Sequence, residues 1–278
     1  MKRMPLWHWL SERSFLVRLI IKTVLFICIF LVVTFPNPVL NIKQVQAYLN
    51  TETLFDTNFE LDVINAEIDS LLPANHTTLD EYKAVVQFVY QHIPYQFDWD
   101  NWGNSEYWPS ASETWRRGRE DCDGRAILAV AIFRSRGYKD ANIVGSMKHL
   151  WIKVGDQELM GPDRETIMVM DQGQKKMRMP PFIYMVEAMA LQLSYYPIFR
   201  MLLITLIALI LLYHPATDVQ RLLGLAVVAI IGFVLIVDWA DAVAFYEEMK
   251  LTVGLAAGGL LLLMAFILAL WPGRPLRK

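Results

Sequence analysis

The sequence predicts an α+β domain held at a membrane by four transmembrane α-helices. Three observations carry this expectation. The chain of 278 residues is 55% hydrophobic and only 19% charged, whereas a soluble domain carries about 25% charged residues. Four apolar stretches stand apart along it. The polar segment between the first and second is about 160 residues long, enough for one domain with its own core, and its pattern runs helices first and short strands after.

The apolar stretches run from Phe15 to Phe35, Ile198 to Tyr213, Leu222 to Val237 and Leu251 to Trp271. A span needs roughly 20 apolar residues. The first and fourth meet this, and the other two borrow interfacial residues. The chain therefore divides into 1-36, an N-terminus and signal anchor; 37-196, the folded domain; and 197-278, three further spans and a tail. Lys2, Arg3, Arg13, Arg18 and Lys22 crowd the first span, Arg221 lies between spans two and three, and Arg274, Arg277 and Lys278 follow the last. The link after span three carries Asp238, Asp241, Glu247 and Glu248 against Lys250. Basic flanks stay in the cytoplasm. Both termini are thus expected inside a plasma (inner) membrane crossed several times, with the domain outside. Val45-Gln46-Ala47 has the residue sizes of a signal-cleavage site but lies too far downstream of the apolar run, so an uncleaved anchor is expected.

Within the domain, a helix is expected from Asn58 to Leu72, ended by Pro73. Thr78-Leu79-Asp80-Glu81 reads as a capping box opening a helix with Val85, Phe88, Val89 and His92 on one face, closed by Pro94. Tyr95 to Trp115, rich in aromatic and polar residues, reads as a loop. Cys122 to Arg136 reads as a third helix, apolar on most sides and ended by Gly137. A helix apolar nearly all round belongs inside a core. Strands follow from Ala141 to Val144, His149 to Val154 and Gln157 to Met160, divided by Gly145-Ser146 and Gly155-Asp156, with another pair flanking Asp171-Gln172-Gly173.

This order places three reactive residue types where chemistry can use them. Cys122 falls at the amino end of the buried helix, where the helix dipole favours a thiolate. His149 starts a strand that can hold an imidazole against the sulfur. Asp163 follows the next strand, from which a carboxylate can fix the imidazole. Glu120, Asp121 and Asp123 oppose this by crowding the thiol with negative charge. Cys28, the other cysteine, lies in an apolar run and is no disulfide partner. Read alone, each residue has a plainer role: a packed thiol, a hairpin histidine, a turn aspartate. The small-residue run Gly254-Leu255-Ala256-Ala257-Gly258 fits helix packing in the last span.

The segment from Pro109 to Asp163 resembles the core of the transglutaminase-like superfamily, a branch of the papain-type cysteine enzymes. The matching pieces are Asp121-Cys122-Asp123-Gly124-Arg125-Ala126, Arg136-Gly137-Tyr138, His149-Leu150-Trp151-Ile152-Lys153-Val154 and Gly161-Pro162-Asp163, with Ser112-Glu113-Thr114-Trp115-Arg116-Arg117-Gly118 as lead-in. The resemblance implies a papain/transglutaminase-like domain, its cysteine helix packed on an antiparallel sheet, with Cys122, His149 and Asp163 as catalytic triad. It also implies that a side chain of the upstream loop assists the cysteine N–H in an oxyanion hole, for which Trp108, Tyr107 and Asn104 are the candidates. Glu120 stands where the family has Gly, and Leu150 where it often has Ala, which leaves the substrate class open.

The function expected is thiol acyl transfer on a peptide or protein, as a peptidase, an amidase or a transglutaminase. The alternative is a catalytically silent module of the same fold that binds a peptide or a partner membrane protein. A transporter built on the last three spans fits less well, because the middles of those spans hold no ionisable residue. The lipid bilayer is an expected partner. Nucleic acid is not, since the net charge is -2 and no basic stripe is visible. No cofactor is expected, and the dispersed histidines show no zinc spacing.

Overall fold

The computed structural model describes residues 9–10, 13–163, 165–171, 174–212, 219–246 and 253–270. The flanking charges Lys2, Arg3, Glu247, Glu248, Lys250, Arg274, Arg277 and Lys278, and the turn residues Gln172 and Gly173, lie outside the described residues. The chain forms two compact units, one of residues 35–185 and one of 1–34 with 186–278.

The first unit is α+β. It opens with α1, Pro38–Leu49, which sequence reasoning did not foresee. Asn37 caps it by accepting hydrogen bonds from the Val39 and Leu40 N–H groups, and Pro38 occupies the first turn, where its missing N–H costs nothing. The Val45-Gln46-Ala47 triplet lies inside this helix. A 3₁₀ turn, Thr51–Leu54, leads to α2, Leu61–Leu71, and then α3, Thr78–His92. The capping box of α3 is formed by Thr77 and Asp80, one residue earlier than the pattern suggested.

The stretch expected as a loop contains two short helices, α4, Asp98–Asn101, and α5, Ala111–Arg117. A capping box of Ser110 and Glu113 starts α5, and Gly118 ends it at φ 68. Then comes α6, Cys122–Ser135, capped by Asp121. Every residue from Ala126 to Phe133 is at most 1% exposed. Burying a Leu, Ile or Phe contributes roughly 1.5–3 kcal/mol, so α6 anchors the core, against α3 on one side and the sheet on another.

The sheet has five strands: β1, Asn142–Gly145; β2, Leu150–Val154; β3, Gln157–Leu159; β4, Met168–Asp171; and β5, Gln174–Met177. Their order is β3-β2-β1-β4-β5, every pair antiparallel. Ile143 faces Ile152 and Val144 faces Trp151 across the central pair. All four side chains are fully buried. Of the strands, β2 and β1 pack against α6.

The second unit is helical. It holds α7, Phe15–Thr34; part of α8, Phe182–Tyr195, within which the unit boundary falls; α9, Ile198–Leu212; α10, Val219–Tyr246; and α11, Val253–Leu270. Two helices, Phe15–Thr34 and Gln220–Ala242, are long and apolar enough to cross a membrane. A third crossing is formed if α8 and α9, bent by 105°, count as one span. Gly254–Ala269 is apolar but shorter. The chain thus has the helices of a membrane protein, with two or three candidate spans where the sequence suggested four. Gly258 of α11 packs on Gly232 of α10, so the small-residue run serves contact within the chain.

Candidate functional site

Cys122 is the first residue of α6. Asp121 is held extended before it, and its carboxylate accepts the Asp123 N–H at 3.2 Å. This cap fixes the helix entry, and so the direction of the thiol. From the sheet side, β2 packs against α6, and the backbone N–H of Leu150, the residue after His149, favours the thiolate. Burial pushes the thiol well above its ordinary range. The charge of Asp121 adds to that, as do Glu106 and Asp98 to a lesser degree, while the Leu150 N–H works the other way. Together these groups disfavour the thiolate.

His149 lies at the turn into β2, and its ring stacks on Trp151 with centroids 6.1 Å apart. The His149 N–H donates to Ser146 Oγ at 3.1 Å, and ring Nε2 lies 2.8 Å from the Met160 carbonyl oxygen. A carbonyl only accepts, so Nε2 carries the hydrogen and Nδ1 is left as the basic nitrogen. Met160 has φ 69 and Gly161 φ 79. A non-glycine residue in that region is strained. Here two successive left-handed residues turn the Met160 carbonyl onto the imidazole.

Asp163 accepts hydrogen bonds from two hydroxyl groups. Its Oδ2 accepts from Ser146 Oγ at 2.8 Å and from the Tyr184 hydroxyl. Ser146 thereby joins the carboxylate to the His149 backbone. The structure brings Cys122 and the His149 segment together and links Asp163 to that segment through Ser146. In the sequence Gly145-Ser146 signals only a turn, and nothing marks Tyr184.

The three oxyanion candidates have other partners. The Tyr107 hydroxyl donates to Glu113 Oε2 at 2.8 Å, and Asn104 Nδ2 donates to Asn41 Oδ1 at 2.9 Å. Trp108 donates its N–H to Gln44 Oε1 at 2.6 Å and its indole N–H to Glu106 Oε1 at 2.9 Å. All three are buried and tie the 95–115 segment to α1 and α5. These bonds satisfy polar groups that the segment carries into the core.

Sequence reasoning missed the most acidic feature of the domain. Asp98, at the start of α4, joins Glu120, Asp121 and Asp123, with one carboxylate oxygen from each lying within 4.8 Å of the others. Asp98 is 2% exposed, Glu120 0% and Asp123 4%. Glu120 Oε1 accepts from Asn101 Nδ2 at 2.7 Å and from the Trp102 indole, and Oε2 from the Asp121 N–H at 3.1 Å. Asp98 Oδ2 accepts the Tyr107 N–H at 2.5 Å, while the buried Oδ1 has no hydrogen-bond partner among the described residues. Burial first, and mutual repulsion second, push Asp98 up to about 10 and Glu120 up to about 8. Nearby Glu106 is pushed up to about 7 for the same reasons. Asp121 and Asp123 also rise, mainly through burial. The signal in the sequence was the triplet Glu120-Asp121, Asp123; the fourth member needed the fold.

Comparison with known proteins gave no match: no family model, no curated protein and no solved structure matches the chain.

Proposed function

We propose that the chain is a membrane-anchored thiol acyl-transfer enzyme of the transglutaminase-like type, a cysteine peptidase or amidase acting outside the cytoplasm. Four spans hold it in a plasma membrane with both termini inside. The observation that carries this reading is a thiol on the first residue of a buried helix that packs against β2, the strand that His149 leads into.

In this reading Cys122 Sγ attacks the carbonyl carbon of a peptide or amide bond. Because the thiolate is disfavoured, the thiol proton passes to His149 Nδ1 as the carbon–sulfur bond forms. The Met160 carbonyl keeps the ring in the required tautomer by accepting the Nε2 hydrogen. Collapse of the tetrahedral species breaks the C–N bond, and the imidazolium returns the proton to the leaving amine. Water, deprotonated by the same nitrogen, then opens the thioester, releasing an acid and restoring the thiol. An amine in place of water would give transamidation. Asp163, held by Ser146 and Tyr184, supplies negative charge to the His149 segment.

The test compares membranes carrying the wild type and Cys122→Ala after exposure to cell-envelope peptides, with mass spectrometry of the peptide containing position 122. An acyl adduct on the wild type, absent from Cys122→Ala and lost in His149→Ala, is the expected result. Equal profiles would end the enzyme reading. The elevated thiol pKa favours a second reading, a silent module that binds a peptide or partner membrane protein. That module would capture peptide without any adduct.

A further inference from the structure

The quartet beside Cys122 presents a chemical problem of its own. Four carboxylates are gathered with little exposed surface, and one oxygen from each falls within 4.8 Å of the others. Uncompensated anions do not gather in a core unless they are protonated or share a cation. Hydrogen bonds from the protein satisfy part of the group: Glu120 has three N–H donors, Asp98 Oδ2 has one, Asp121 Oδ1 accepts the Asp123 N–H, and Asp123 Oδ1 accepts the Gly124 N–H. The remaining oxygen of Asp98, buried and without a partner among the described residues, is a separate observation. A buried carboxylate oxygen without a donor costs free energy unless a ligand not contributed by the polypeptide completes it.

We propose that Asp98, Glu120, Asp121 and Asp123 together hold one hard divalent cation of calcium size. The donor set is all oxygen and all carboxylate, which selects a hard ion over zinc or copper. Calcium–oxygen distances of about 2.3–2.6 Å put opposed ligands about 4.6–5.2 Å apart, whereas magnesium, at about 2.0–2.1 Å, needs a tighter shell and retains its waters. Carboxylate oxygens within 4.8 Å of one another can surround an ion of that size. Three of the ligands come from the turn into α6 and one from α4. The cation therefore cross-links the helix entry to the 95–115 segment. This inference concerns binding alone and holds whether or not Cys122 is a nucleophile.

The test uses the full chain in detergent micelles, stripped with chelator and titrated with terbium, a luminescent oxygen-seeking stand-in for calcium. Trp102 donates to Glu120 and is a built-in sensitiser. Expected is a saturable sensitised emission with one-site behaviour, displaced by calcium and far less by magnesium. Asp98→Asn, nearly isosteric, is expected to weaken terbium binding on the order of 100-fold, because calcium-site affinity follows the number of charged ligands. Asparagine is neutral, has nearly the same shape and keeps an acceptor for the Tyr107 N–H, so the stripped variant is expected to keep a thermal midpoint close to that of the stripped wild type, and weak binding would not be a folding failure. Calcium should raise the midpoint of the wild type and not of Asp98→Asn. Absence of sensitised emission in the wild type, or equal emission and equal calcium stabilisation in Asp98→Asn, would overturn the proposal. The acyl-adduct experiment reads the thiol separately, so either can fail without the other.

Discussion

Gly124, two residues into the helix that starts at Cys122, sets two known effects of a methyl group against each other. In an exposed helix, Gly→Ala stabilises by about 1 kcal/mol, because alanine has less backbone freedom to lose. At position 124 the new Cβ would lie 2.4 Å from Glu120 Cγ and 2.9 Å from Thr114 Oγ1. Neither can retreat cheaply. Thr114 is fully buried in α5, and the Glu120 carboxylate is held by Asn101, Trp102 and the Asp121 N–H. Overpacking of this kind costs about 1–3 kcal/mol and can exceed it when the neighbours are pinned. The clash should outweigh the propensity gain, with a net loss of about 1–2 kcal/mol. For a domain of this size that lowers Tm by about 2–8 °C. Thermal unfolding in detergent, followed by tryptophan fluorescence, measures it. An unchanged or raised midpoint for Gly124→Ala would refute the packing of Glu120 and Thr114 over the helix entry.

Other outcomes follow from the same geometry. In chelator, the domain should lose stability as pH rises from about 4 towards 10. The raised carboxyls of Asp98, Glu106 and Glu120 bind protons in the fold that the unfolded chain has already released. Their contribution is complete below the unfolded value and lost through about 7 to 10. Urea midpoints at pH 5 and pH 9 report the sign, and greater stability at pH 9 would contradict it. Asp121→Asn in chelator should speed alkylation of Cys122 several-fold at pH 8, since it removes the leading charge that disfavours the thiolate; an unchanged rate would mean that Asp121 is neutral there. In the helical unit, Gly258→Ala should lower the thermal midpoint, because its Cβ would sit 2.5 Å from the Gly232 carbonyl oxygen. Gly259→Ala, which meets nothing within 4 Å, should not. Equal effects from the two would contradict the close crossing.

Much of the domain was legible because its punctuation is local. Gly145-Ser146 and Gly155-Asp156 divide short β-prone runs, and the strands fall within a residue or two of the places those turns indicate. The buried helix was legible from its unbroken apolar run. The capping box slipped by one residue because two threonines, Thr77 and Thr78, stand side by side, and only geometry decides which hydroxyl reaches the Asp80 N–H. α1 was missed because it follows directly on an apolar span and carries mixed residues, with Val39, Ile42, Val45 and Leu49 exposed. The 95–115 segment lacks helical periodicity, and its two helices are one or two turns long, fixed by caps and tertiary hydrogen bonds. At the site, Cys122 and His149 could be singled out from position and context. The Met160 carbonyl could not, since a backbone acceptor leaves no trace in residue identity. Nor could Asp98, which reaches the other carboxylates only once α4 has folded back over the start of α6.

Where α10 and α11 cross at Gly232 and Gly258, main chain rests on main chain with no side chain between them. Side chains can repack to let one helix slide or roll past another; peptide groups in direct apposition cannot. That crossing therefore behaves as a welded joint, and the hairpin it closes is a strut rather than a hinge. A carrier that alternates between inward and outward openings needs its moving surfaces elsewhere than at this joint.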